Sequence, residues 1–267
     1  MKFSVVTPSF NQAAFIGRTL ASVATQTGGA IEHRVYDGGS TDGTVEILEQ
    51  AGASITWSSG RDAGQADAVN KGLRGADGDV IAWLNSDDVY YPGAFERVAR
   101  FVEANPQVDV VYGAADHIDT GDRVIEPYPV EPWSLARLEE RSFICQPAAF
   151  FRRRVVDRHG LLDPRLCYCM DYEYWLRLGR AGATFAYLPE KLAGSRLHPG
   201  TKTLGQTVAV HAEINDMLKR TLGRVPRRWL VNYVYAEVRD RHGPGQPWLI
   251  EKARVLASMP AAARRWA

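Results

Sequence analysis

The chain has 267 residues, of which 45% are apolar and 24% charged, and its formal net charge is +1. That is enough apolar material for a sizeable soluble core, arranged as one large α/β domain or two small ones, and the near-neutral balance gives no reason to expect nucleic acid as a partner. Cys145, Cys167 and Cys169 lack paired C-x-x-C spacing and are odd in number, so no disulfide framework is expected and a reducing, cytoplasmic setting is the simplest reading.

In chain order, Phe3 to Val6 reads as a buried strand, Thr7 to Gln12 as a loop, and Ala13 to Thr25 as a helix with Phe15, Ile16, Leu20 and Val23 at helical spacing. This start has neither the apolar length nor the small-residue cleavage site of a signal peptide. A second strand, Ile31 to Tyr36, leads through the glycine-rich segment Asp37 to Thr44 into the helix Val45 to Gln50. Ser54 to Trp57 is a third strand, Gly64 to Leu73 a helix, and Asp79 to Leu84 a fourth strand. Strands alternating with helices predict a mostly parallel α/β sheet flanked by helices. Ligands of such sheets bind beyond the carboxyl ends of the strands, where the polar loops Thr7 to Gln12, Asp37 to Asp42, Ser58 to Asp62 and Asn85 to Asp88 would converge.

The last of these loops places Asn85, Ser86, Asp87 and Asp88 directly after the apolar run Val80 to Leu84. Two adjacent carboxylates at a buried strand end suit a hard divalent cation that keeps positions open for phosphate oxygens. The same residues are good turn formers, and Tyr90 to Gly93 reads as a continuation of that turn. Gly93 to Glu103 is then a helix and Val108 to Tyr112 a strand, followed by a hairpin or long loop over His117 to Pro132. Gln146 to Arg152 reads as a strand, Arg153 to His159 and Asp171 to Gly179 as helices, and Thr184 to Leu188 as a strand. The remainder is helical, with breaks at Pro226, at Gly243 to Gly245 and at Pro260. No stretch reaches the roughly 18 consecutive apolar residues of a membrane-spanning helix.

Each polar motif admits a bland and a chemical reading. Ser40 to Asp42 cap the helix that follows them, yet a charge at Asp37, the end of a buried strand, suits hydrogen bonds to a nucleobase or ribose. Asp67, Asn70 and Lys71 fall three and four residues apart, so they share a helix face, either merely solvated or set to meet phosphate. Asp171 is placed either to cap its helix or to act as a general base. His198, in a loop with Lys202 and Thr203, is either a structural donor or, with Asp87, half of a carboxylate and imidazole site for Mn²⁺ or Mg²⁺.

Taken in order, Thr7 to Asn11, Asp37 to Thr44, Asp62 to Gly72, Trp83 to Asp88, Asp171 to Arg177 and Arg196 to His198 resemble the motifs of family 2 glycosyltransferases over about residues 3 to 204. The resemblance implies a GT-A (Rossmann-like) fold, with a catalytic domain over 1–204 and a C-terminal helical extension over 205–267. Within that domain, residues 1–115 would bind the nucleotide sugar and 116–204 the acceptor. It implies an inverting, metal-dependent transfer from a nucleotide sugar, a UDP-sugar first among them, to a carbohydrate or lipid-linked hydroxyl in cell-surface polysaccharide, glycolipid or other glycoconjugate synthesis.

By the same resemblance, Thr7, Pro8, Ser9, Asn11, Asp37, Asp62 and Lys71 belong to the donor pocket, together with Asn85, Ser86 and Asp88. Asp87 and His198 match the metal ligands, Asp171 the base, Lys202 and Thr203 a loop closing over the diphosphate, and Gln146 and Pro147 the acceptor pocket. Asn85 stands where the family's D-x-D motif begins with Asp. A nucleotidyltransferase and a non-catalytic nucleotide-sugar-binding module are the alternatives. Over residues 224–267 many arginines are interleaved with aromatics, which suits either a helical extension packed on the catalytic domain or peripheral contact with the inner face of the cell membrane. The sequence leaves the oligomeric state open, a dimer included.

Overall fold

The computed structural model describes residues 1–201, 205–243 and 247–267. Strand β1 (Lys2–Ser9) is buried along nearly its whole length, as an apolar run in the middle of a parallel sheet should be. It pairs in parallel with β2 (Ala30–Asp37) on one side and β4 (Val80–Trp83) on the other, and β2 pairs in parallel with β3 (Thr56–Ser59). The connecting helices are α1 (Ile16–Ala24), α2 (Thr44–Ala51) and α3 (Gln65–Gly75). Helix α1 buries Ile16, Thr19, Leu20 and Val23, the three-and-four spacing of a core-facing stripe. It begins later than the expected Ala13 because the Gln12 and Ala13 amides donate to Thr44 Oγ1 (2.9 Å) and Asp42 Oδ2 (3.0 Å) across the neighbouring loop. Helix α3 lies so close to β1 that a Cβ on Gly72 would stand 2.2 Å from Val6 Cγ1, which fixes glycine there.

Past β4 the sheet continues in the order β8, β6, β9, β5. Strand β8 (Ala149–Arg152) runs antiparallel between β4 and β6 (Val110–Ile118), and β9 (Phe185–Arg196) is parallel to β6. A two-residue β5 (Val89–Tyr90) is antiparallel to β9, and β7 (Val124–Pro127) folds back on the end of β6. Strands β1, β2, β3, β4, β6 and β9 therefore share one direction, which is the mostly parallel, helix-flanked sheet expected. Its core brings Phe3, Tyr90, Phe95 and Phe150 together, with ring centroids 4.6 Å apart for Phe3 and Phe95 and 5.5 Å for Tyr90 and Phe150.

Several local expectations need correction. The turn expected to continue through Tyr90 and Tyr91 is strand β5 and its extension, held where Tyr91 N donates to Leu192 O at 2.9 Å. The strand expected from Gln146 opens instead with a short 3₁₀ turn, Gln146–Ala148, before β8, because Pro147 has no amide to give a ladder. After α4 (Ala94–Ala104) comes an unexpected helix, α5 (Leu135–Glu140), whose first turn is capped by the Ser134 hydroxyl accepting from Arg137 N at 3.3 Å.

Helices α6 (Arg153–His159) and α7 (Met170–Arg180) complete the first of two compact units, Met1–Trp133 with Phe143–Leu197. The second unit is Ser134–Ser142 with His198–Ala267 and contains α5, α8 (Thr207–Leu222), α9 (Arg227–His242) and α10 (Trp248–Arg265). Its small core gathers Tyr233, Val234, Val238, Val255 and Trp266. Pro260 does not break α10 as expected. Its missing amide costs one helical bond, to the carbonyl of Leu256, and both residues are exposed, where an unpaired carbonyl costs less than in a buried core. Among the described residues, no helix is long and apolar enough to cross a membrane.

Candidate functional site

The carboxyl ends of β1, β2, β3 and β4 lie along one sheet edge, stitched by Gly38 N to Ser9 O (2.8 Å) and Gly60 N to Asp37 O (3.0 Å). Asp37 closes β2 and is almost fully buried. Its carboxylate accepts from Gly39 N (3.0 Å), Ser40 N (2.9 Å), the Ser40 hydroxyl and the Ser59 hydroxyl (2.6 Å). The positive φ of Gly39, 87°, curls the chain so that consecutive amides face back onto the strand end. Asn11, also at positive φ, ties the β1 loop to the same turn by accepting from Thr41 N at 3.0 Å and donating its own amide to Ser40 Oγ at 2.7 Å. Asp62 accepts from Gly64 N at 2.9 Å and lies against Gly38, where a Cβ would stand 3.1 Å from its Oδ2.

Thr7 and Pro8 are buried within β1, and the Thr7 hydroxyl lies 2.9 Å from His33 Nε2. Burial holds that imidazole down at about 4, hence neutral. Thr7 and Pro8 thus form the floor of this edge, while the buried Ser9 hydroxyl has no hydrogen-bond partner among the described residues. Phe10, absent from the expected set although it stands inside the first motif, is 60% exposed beside them.

The Asn85 to Asp88 loop is held by its own side chains. Asn85 Oδ1 accepts from Gln65 Nε2 (2.8 Å) and Trp83 Nε1 (2.9 Å), and Asn85 Nδ2 donates to Gln146 Oε1 (3.1 Å) and Asp88 Oδ2 (3.3 Å). The amide is saturated, with two bonds accepted and two donated. Gln146 in turn donates to Trp83 O, and Pro147 is buried beside it. Asp88 is buried and takes a bond from Arg196 N at 2.8 Å, and burial together with the Asp87 charge pushes its carboxyl well above the usual carboxylate range. Thr19 Oγ1 lies 2.9 Å from Ser86 O and 2.8 Å from Asp88 O, so its single proton serves either carbonyl.

Arg196 stands in the last of the sequence motifs, Arg196 to His198, yet its role there was not legible from sequence. Its buried guanidinium reaches Asp87 O (2.6 Å), Asp119 O (2.7 Å) and Asp122 Oδ1 (2.5 Å), and stands over the Phe15 ring at 5.1 Å. The signal was a charge at the end of an apolar strand, Leu192 to Arg196, which was longer than the strand expected.

Asp171 does not cap α7. Cys169 occupies the cap position and Asp171 lies in the first turn, accepting from Tyr172 N at 2.7 Å. It keeps some solvent access, yet enough protein surrounds it for burial to outweigh its backbone bonds and push its pKa up to about 6. The buried thiol of Cys145 shows what lies near: burial first, then the charges of Asp88, Asp171 and Asp116, push it well above its usual value. Asp88, Asp171 and Asp116 thus all act electrostatically on the one buried thiol.

Asp67 and Lys71 pair at 3.0 Å on the half-exposed side of α3, but Asn70 does not share their face. It is buried and clasps Leu162 through two reciprocal bonds of 2.9 Å. His198 begins the second unit's long segment, where its Nδ1 accepts from Gly200 N at 3.2 Å. Lys202 and Thr203 lie outside the described residues. Among the described residues, no group of three or more His, Cys, Asp or Glu side chains could hold a metal ion.

The family model for glycosyl transferase family 2 matches residues 4–160, more than half of the chain. The chain belongs to glycosyl transferase family 2. A glycosyltransferase of Mycobacterium bovis named for PGL/p-HBAD biosynthesis is 31% identical over 180 residues, covering 66% of this chain and 68% of its own length. An uncharacterized glycosyltransferase of Nostoc sp. is 30% identical over 177 residues, or 61% of this chain. The match spans only 55% of the Nostoc protein's length.

The fold resembles that of S. aureus TarS residues 1–349, solved in complex with UDP-GlcNAc, at a TM-score of 0.68 and 17% identity over 100% of this chain and 83% of TarS 1–349. It also resembles the Pyrobaculum calidifontis mannosyltransferase PcManGT, solved with GDP-Man and Mn2+, at 0.58 and 18% identity over 99% of this chain and 72% of that one. The mixed sheet of this family 2 member is accordingly of the GT-A type.

Proposed function

We propose that the protein transfers a sugar from a nucleoside-diphosphate donor, a UDP-sugar first among the candidates, to a hydroxyl acceptor in one inverting displacement. The observation that carries this reading is Asp171, a carboxyl raised to about 6 whose charge acts on the same buried thiol, Cys145, as that of Asp88 in the strand-end loop. A base with that pKa is ionised at neutral pH yet basic enough to take an acceptor proton as the oxygen attacks. The donor's nucleoside belongs at the Asp37, Asp62 and Asn11 edge, with the Ser9 hydroxyl as an available polar group and the exposed face of Phe10 as a stacking surface. Structural relatives bound to UDP-GlcNAc and to GDP-Man support a nucleotide sugar.

Asp88 is already bonded to Arg196 N and Asn85 Nδ2, so we assign the cation to Asp87, with His198 as second ligand by the family resemblance alone. A donor set this small fits Mg²⁺ or Mn²⁺ completed by diphosphate oxygens and water rather than a closed protein cage. When bound, the cation would offset the charge that grows on the departing diphosphate. Gln146 is assigned to positioning of the acceptor side through Asn85. Lys71, Lys202 and Thr203 are assigned to the diphosphate. The acceptor is a carbohydrate or lipid-linked hydroxyl of cell-surface glycoconjugate synthesis, a reading supported by the mycobacterial relative's name.

The test is incubation with a panel of nucleotide sugars plus Mn²⁺ or Mg²⁺, with nucleoside diphosphate release measured in the presence of candidate acceptors. Release above the no-enzyme rate that vanishes in Asp171→Asn is the expected result. Donor binding without release under any condition would leave a binding module in place of an enzyme.

A further inference from the structure

Helix α10 turns Val255 and Ala262 inward, onto Tyr233, Val234 and Val238 of α9. Its opposite face should then be polar, as it is on most surface helices. It is apolar instead. Leu249 is 71% exposed and Leu256 59%, and the small residues Ala253, Ala257, Pro260 and Ala263 continue the same face in solvent. Ile250 extends it at the amino-terminal end, also exposed. Exposed Lys252, with its ammonium 4.6 Å over the Trp248 ring, borders the stripe, and exposed Arg264 falls within it near its carboxyl end.

The surrounding charge narrows what such a face can meet. Residues 224–267 hold nine Lys and Arg against three Asp and Glu, a net of +6 in a chain whose total is +1, so the first 223 residues carry a net of −5. A second copy docking through the same face would set +6 against +6. An anionic lipid surface suits both features at once: Leu and Ile side chains enter the headgroup and acyl boundary while Lys and Arg stay among the phosphates. We infer that the outer face of α10 is a peripheral docking surface for a bilayer rich in anionic lipid, with Leu249, Ile250 and Leu256 as its inserting side chains and Lys252 and Arg264 as its cations. The helix would lie on the surface, since it is neither long nor apolar enough to cross. The inference concerns the second unit alone and does not depend on the proposed transfer reaction.

The test is co-sedimentation of the full chain with phosphatidylcholine vesicles, with and without phosphatidylglycerol, at low and high salt. The expected result is binding that requires phosphatidylglycerol and weakens with salt, and that falls at least about tenfold in Leu249→Ser/Leu256→Ser, the loss of two inserted leucines. Lys252→Glu/Arg264→Glu should fall similarly while the far-UV circular dichroism and melting of both variants match the parent, because the altered positions are exposed. Absence of binding to either vesicle, or binding that both double variants retain, would overturn the inference. So would a dimer in sedimentation equilibrium that dissociates in the leucine variant, which would make a second copy the occupant.

Discussion

Asp37 and Asp171 are both acidic residues of the proposed site, and the chain treats them in opposite ways. Asp37 accepts from two amides and two hydroxyls contributed by its own turn and by β3. Asp171 meets the amide of its neighbour Tyr172 at 2.7 Å, and burial dominates its titration. The first arrangement fixes the carboxylate's position through its own hydrogen bonds, as the proposed nucleoside pocket requires. The second leaves a carboxyl whose proton affinity is available for chemistry, which is where a general base belongs.

The comparison is most open to attack at Asp171 itself. Asp171→Asn is expected to lower turnover by about 10² to 10⁴, the usual worth of a positioned base, with donor affinity unchanged in calorimetry. Wild-type kcat/KM should fall as pH drops through about 6, where Asp171 takes up its proton. Stability should run the other way. A carboxyl raised from its ordinary value of about 3.9 binds more protons folded than unfolded between those two pH values, so this group's contribution is present at low pH and is lost as pH rises through about 6. Asp171→Asn should therefore raise Tm at pH 8 relative to the parent. A variant that kept its turnover, or an acid limb absent from the parent's profile, would remove Asp171 from the role.

Arg196 is the next largest effect. Its guanidinium is enclosed and satisfies two carbonyls and Asp122 while its amide serves Asp88. Arg196→Met keeps that amide bond but takes the guanidinium from Asp87 O, from Asp119 O, which still accepts from Asp122 N, and from half-exposed Asp122, which still pairs with Arg18, and is expected to cost about 3 kcal/mol in urea unfolding. A loss below about 1 kcal/mol, the worth of an exposed pair, would show that Arg196 is not the tie between this loop and the β6–β7 hairpin.

Asn85→Asp sharpens the contrast by adding charge where charge is already poorly tolerated. The amide's two donated bonds, to Asp88 and Gln146, become facing acceptors beside a buried carboxyl. The expected cost is about 1 to 3 kcal/mol, larger at pH 8 than at pH 5 because it grows as the new carboxylate ionises. Equal losses at both pH values would mean that packing, not charge, selects Asn85. This also gives a physical reason for Asn at this position, which must donate as well as accept.

The strand and helix order of the first unit was legible because its periods are clean. Phe3 to Val6 is an unbroken apolar run, α1 repeats its buried residues at three and four, and Arg153 to His159 was bounded as observed. The motifs around Asp37 were legible because Ser40 lies three residues away and the bonds are local. What escaped were features set by distant partners. The two residues of β5 are a strand only because β9 passes beside them. Asn70 left the expected polar face because Leu162 supplies it a buried partner 92 residues on. Gln146 and Arg196 are recruited by Trp83, Asn85 and the 119–122 turn, none of them a sequence neighbour.

The smallest effect separates a solvated pair from a donor contact. Asp67 and Lys71 are one turn apart on α3, both partly exposed, with the acid on the amino-terminal side, the favourable order for a helical pair worth about 0.3 to 0.5 kcal/mol. So weak a tie lets Lys71 exchange Asp67 for a diphosphate at little cost. If that exchange happens, Lys71→Ala should raise the donor KM severalfold with kcat nearly constant, and Asp67→Asn should lower KM, since it frees the lysine from its competitor. Stability should move by no more than about 0.5 kcal/mol in either variant. The opposite signs are the discriminating feature. A merely solvated pair would leave both KM values where they were, and Lys71 would then belong with the surface of α3 rather than with the donor.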